Sequence, residues 1–145
     1  MRGIVIGTMV ILLALAPPAA ARPARDFDGH WSGLWQGGAT HDTWKPDFTL
    51  EDDGHGHVNG EIHWTLVTAG QPNEQGQEGP AGIEYVVGHV DGGELILDGV
   101  RTDNPKNILG QDHYRLVLSD DGSVLGGISS NGGTWSGALR AQRAR

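Results

Sequence analysis

The stretch HVNGEIHWTLV, residues 57–67, places Val58, Gly60, Ile62, Trp64 and Leu66 on one side of an extended chain. Asn59, Glu61, His63 and Thr65 fall on the other. A period of two with one apolar and one polar face is the pattern of a half-buried β-strand. The same alternation recurs outward in both directions. Upstream, Trp31, Gly33 and Trp35 share a face, as do Phe48 and Leu50. Downstream, Tyr114, Leu116 and Leu118 form a third set, and Trp135 and Leu139 flank Gly137 in a fourth. Strands are expected at 30–37, 46–52, 57–67, 83–90, 94–101, 113–119, 123–130 and 133–141. The fourth is ambiguous in phase: Ile83, Tyr85 and Val87 compete with Val86 and Val90, and Glu84 points inward if Val86 and Gly88 do.

Turn chemistry divides the chain at the same places. Asp52-Asp53-Gly54, Asp91-Gly92-Gly93, Asp121-Gly122 and Asn131-Gly132-Gly133 each lie between alternating runs. Asx-Gly pairs supply the positive φ angles of tight hairpins. Hairpin-linked strands at this spacing form an antiparallel meander, and closing it removes two exposed edges. The expected fold is all-β, an eight-stranded antiparallel up-and-down β-barrel, with a two-sheet β-sandwich as the alternative.

The N-terminus reads as an export signal. Arg2 precedes an apolar run from Ile4 to Leu15, Pro17 and Pro18 follow, and Ala19-Ala20-Ala21 offers a peptidase site. As a helix the run reaches roughly 18 Å against about 30 Å of hydrocarbon, too short for a membrane span. The expected organisation is a cleaved signal peptide at 1–21, a tether at 22–29, a barrel at 30–141 and a tail at 142–145. The expected location is secreted or periplasmic. There is no cysteine, so no disulfide supports the core. Removing 1–21 takes one of 10 basic residues and none of the 18 acidic ones, so 124 residues carry a net charge of −9. That acidity argues against nucleic acid as a partner. Arg140, Arg143 and Arg145 read as a small solvated basic tail.

In a meander, successive loops alternate between the two ends. The turns after strands two, four and six are short. The loops at 38–45, 68–82 and 102–112 are long and fall at the opposite end. Long loops on a rigid scaffold are where binding concentrates. His41, Trp44 and Lys45 are placed at that rim, and Ile108 and Leu109 are expected to fold over it. Trp64, Glu84, Tyr85 and Tyr114 complete the expected ligand-binding set.

Gly29-His30-Trp31 at the start of strand one matches the Gly-x-Trp element of the lipocalin and avidin-like barrels, and Gly33-Leu34-Trp35 matches it as well. Gly133-Thr134-Trp135-Ser136-Gly137 resembles a strand of an avidin-type barrel. The chain thus resembles the calycin group over about 30–141. The resemblance implies a central cavity, often for a small apolar ligand, and an arginine, Arg140, packed over Trp31 at the barrel floor. The avidin residues that contact biotin have no counterparts here, so biotin is not implied.

No nucleophile motif, zinc-protease motif or phosphate-binding loop occurs. Asp52, Asp53, His55 and His57 share one turn but lack a third histidine or cysteine at ligand spacing, so they read as a solvated turn rather than a metal site. No cofactor and no catalytic set is expected. Three readings remain: a binding module for a small apolar or amphipathic molecule, a filled barrel gripping another exported protein, and an enzyme using the cavity. A hollow of at least ~300 Å³ favours the first over the second.

Overall fold

The computed structural model describes residues 26–133 and 135–145. The expected signal peptide, and the tether as far as residue 25, lie outside the described residues. Eight strands follow one another: β1 (Gly29–Gly37), β2 (Thr43–Asp52), β3 (His57–Thr68), β4 (Gly79–Asp91), β5 (Glu94–Asp103), β6 (His113–Leu118), β7 (Val124–Ser130) and β8 (Ser136–Arg143). Each pairs antiparallel with its sequence neighbours, and β1 pairs with β8 from Trp31 opposite Arg143 to Gly37 opposite Gly137. The sheet is therefore a closed up-and-down barrel, and the sandwich alternative does not hold. Among the described residues no helix is long and apolar enough to cross a membrane.

Alternation decides what fills it. Trp31, Trp35, Trp44, Phe48, Leu50, Val58, Ile62, Trp64, Leu66, Leu95, Leu97, Tyr114, Leu116, Leu125 and Leu139 are buried in one continuous core. Burying each large side chain contributes about 1.5–3 kcal/mol. Below its mouth these side chains fill the barrel.

Three elements differ from the sequence reading, each for a local reason. Strand β2 starts at Thr43, three residues before Pro46. Pro46 has no N–H to give, and the β1–β2 register has no pairs between Ser32–Asp47 and Trp35–Trp44. The proline thus sits inside the strand where that ladder is open, and Trp44 becomes a strand residue rather than a loop residue. Strand β4 starts at Gly79, with a bulge that leaves Ala81 without a cross-strand partner on β3. A second irregularity lies between Tyr85 and Val86, opposite Arg101 and Gly99. The bulge at Ala81 lets Ala81, Glu84 and Val86 all point inward, which unbroken alternation forbids, while the second puts its extra residue, Val100, on β5. Strand β8 extends to Arg143, into the segment read as a tail.

The N-terminal segment is also part of the body. Phe27 is fully buried and its carbonyl accepts from Trp31 Nε1 at 3.1 Å. The short turns 53–56, 92–93 and 119–123 gather at this end, which forms the floor. The segments 38–42, 69–78 and 104–112 gather at the mouth, where Pro72–Glu74 forms one 3₁₀ turn.

Candidate functional site

Strand direction places four of the five tryptophans near the mouth. Strands β1 and β3 run from floor to mouth, so Trp35 and Trp64 sit near their ends. Strands β2 and β8 start at the mouth, with Trp44 at the head of β2 and Trp135 just before β8. Trp35 and Trp64 meet edge to face, with centroids 6.4 Å apart at 85°. Trp44 and Trp64 do the same at 6.0 Å and 87°. Trp135 tilts against Trp44 at 6.2 Å and 53°. Edge-to-face contact uses the positive ring edge against the negative ring face. Two glycines make the arrangement possible. A Cβ on Gly137 would come within 2.3 Å of the Trp35 ring, and one on Gly99 within 2.0 Å of Glu84 Oε1.

The indole N–H groups are met mainly by acids. Trp64 Nε1 donates to Glu84 Oε2 at 3.2 Å, and the Tyr114 hydroxyl donates to the same oxygen at 2.5 Å. The backbone N–H of Asp112 donates to Glu84 Oε1 at 2.7 Å. Trp35 Nε1 donates to Ser129 Oγ at 2.8 Å, and Ser129 Oγ donates to Asp112 Oδ2 at 3.0 Å. Trp44 Nε1 donates to Asp42 Oδ2, while the Thr40 hydroxyl donates to Asp42 Oδ1. Each buried donor thus has an acceptor, as burial requires.

Trp35, Trp44, Trp64, Glu84, Asp112 and Trp135, rimmed by Ile108, Leu109 and Gly110, line a cavity of about 30 Å³. Among the described residues no basic side chain lines it. Burial is the main cause that raises Glu84, to about 7, against hydrogen bonds from Asp112, Tyr114 and Trp64 that lower it. Burial also raises Asp112, against its bond from Ser129. Tyr114 is raised well above the usual phenol range by burial, then by the charges of Glu84 and Asp112.

The rim is held by local hydrogen bonds. Asn104 Oδ1 accepts from the N–H groups of Ile108 (2.9 Å) and Leu109 (3.2 Å), and its Nδ2 donates to the Leu109 carbonyl at 2.7 Å. That clasp presents both apolar side chains, half-buried, at the mouth. In the 69–78 segment Glu74 is fully buried, and its Oε1 has no hydrogen-bond partner among the described residues. Burial, then the charge of Asp42, raises its pKa.

The expected site residues separate on this geometry. Trp44, Trp64 and Glu84 line the cavity, and Tyr114 lies beneath it, bonded to Glu84. His41 and Lys45 do not join them. His41 is exposed at φ +57°, and Lys45 is on the outer face of β2, opposite Thr65. Tyr85 is also outside, because its neighbour Glu84 takes the inward position. The Arg101 guanidinium covers its ring at 3.6 Å, and it borders a polar groove with Thr49, Glu51, Asn59 and Glu61. At the floor, Trp31 stacks on Phe48, but the arginine over it is Arg143, at 4.3 Å, not Arg140. Arg140 is exposed on the opposite face of β8.

Sequence reasoning placed Trp35 and Trp135 inward without assigning them to the mouth; counting from the strand ends would have done so. Asp112 and Ser129 carried no such signal. In comparisons with known proteins, no family model matched the chain, and neither a curated protein nor a solved structure gave a significant match.

Proposed function

We propose that this chain is an exported binding protein of calycin-like architecture that takes the head group of a small molecule at its mouth. The observation that carries the reading is the cavity among Trp35, Trp44, Trp64 and Trp135, with Glu84 and Asp112 facing it. Apolar walls with a few converging polar groups are the usual make-up of a ligand site. At about 30 Å³ the hollow falls far below the ~300 Å³ that a whole drug-sized ligand needs. It holds a head group of a few atoms, with the rest of the molecule lying over Ile108 and Trp135.

The packed interior beneath the cavity favours a second reading, a filled barrel whose loops grip another exported protein. Native mass spectrometry of the protein purified from its own host separates the two. A retained small molecule, lost in Trp135→Ala, is the expected result. A co-purifying chain with no small-molecule adduct would favour the second reading instead.

A further inference from the structure

Resting on the mouth as a ligand site, we infer that its ligand class is a small organic cation, a protonated primary amine whose ammonium sits between the indole rings and the carboxylates of Glu84 and Asp112. Charge balance is the first support. Among the described residues two carboxylates line the cavity and no lysine, arginine or histidine does. Buried acids without a counter-charge are costly, and an incoming cation removes that cost. An anionic ligand would add a third like charge to the same space.

The hydrogen bonds give the second support. Trp64, Tyr114 and the Asp112 N–H all donate to Glu84. Three converging donors favour the ionised carboxylate and oppose the burial that favours its protonated form. A neutral hydroxyl or amide ligand would meet a group already well supplied with donors. An ammonium brings what those donors do not, a full positive charge, and Asp112 lies beside Glu84 to accept its N–H groups.

The walls give the third. Four indoles surround the position, and tryptophan is the strongest aromatic partner for a cation. Their own N–H groups are turned toward Asp42, Glu84 and Ser129 in three cases. The cavity size limits the head group to about that of an alkylammonium.

The test is a matched pair of probes, n-butylammonium and 1-butanol, followed by tryptophan fluorescence and calorimetry at pH 8. Expected is an affinity for the amine about tenfold or more above that for the alcohol. In Asp112→Asn and in Glu84→Gln the ratio of amine to alcohol affinity should fall to about threefold or less. Equal or better binding of the alcohol to the unaltered protein overturns the cation assignment and leaves the ligand site standing. Failure of both probes at tens of millimolar overturns the ligand site itself. The unaltered protein decides the matter even if a variant does not fold.

Discussion

The two ends of the barrel use tryptophan in opposite ways. At the floor, Trp31 is fully buried and stacked on Phe48 at 6.5 Å and 17°. Its N–H goes to a backbone carbonyl, and Arg143 lies across its ring. Arg143 in turn donates to the carbonyls of Asp26, Asp28 and Gly122. Nothing there is left for a ligand to satisfy. At the mouth the rings of Trp35, Trp44 and Trp64 meet edge to face beside a space, and the N–H groups of Trp44 and Trp64 lean on acids with no cation beside the cavity among the described residues. One end is a finished core, while the other has unbalanced charge facing a hollow.

If that contrast is right, Trp31→Ala is the costliest single truncation at either end. Removing a fully buried tryptophan costs about 3–5 kcal/mol, from lost burial plus the cavity left behind. Urea unfolding measures it. A smaller loss than that of Trp135→Ala would break the contrast.

The next effect is electrostatic and belongs to the mouth. Glu84 titrates near 7 in the folded protein against an ordinary value of 4.5. The folded state therefore holds the proton more tightly than the unfolded chain. Stability from this group is fully present below about pH 4.5 and declines as pH rises to about 7. The loss is on the order of 3 kcal/mol. Asp112, raised by burial, acts in the same direction, whereas Tyr114 titrates well above this window. At the floor turns, Asp53 and Asp121 are lowered, so their stabilisation is lost on acidification instead. Unfolding at pH 5 and pH 8 in the ligand-free protein should show the decline, and Glu84→Gln should flatten most of it. A flat profile in the unaltered protein would contradict the charged-mouth description.

Most of the strand map was legible because alternation and Asx-Gly turns agree with one another. What escaped was wherever the backbone departs from a period of two. The bulge at Ala81 hid which face of β4 is inward, so Tyr85 and Glu84 could not be separated by pattern. Pro46 masked the first residues of β2, and with them the strand position of Trp44. The choice between Arg140 and Arg143 was recoverable in principle. Leu139 and Ala141 point inward, so the same parity selects Arg143. Asp112 belongs to another class. It precedes β6 in an irregular segment, and the successive pairing of β4 to β7 brings it beside Glu84 and Ser129.

Arg143→Ala and Arg140→Ala sharpen the same point at smaller scale. Losing Arg143 removes a cation over an indole and three hydrogen bonds to carbonyls, together about 1–2 kcal/mol. Losing Arg140, exposed on the outer wall, should fall within about 0.5 kcal/mol. Thermal unfolding of the two variants side by side checks it. Equal losses would mean that the floor is closed by packing alone.

A modest expected stability change falls where a large functional change is expected. Trp135 is half-buried and meets Trp44 at a tilt, so Trp135→Ala should cost about 1 kcal/mol, near the value of one aromatic pair. Yet Trp135 is one of the four walls of the cavity, and its removal leaves the ammonium position open to water. Binding of n-butylammonium should then weaken by about tenfold while stability falls by only about 1 kcal/mol. No floor residue can behave this way, because each is held by packing that folding itself requires. A Trp135→Ala protein that lost several kcal/mol of stability, or kept full affinity for the amine, would show that the mouth is built like the floor after all.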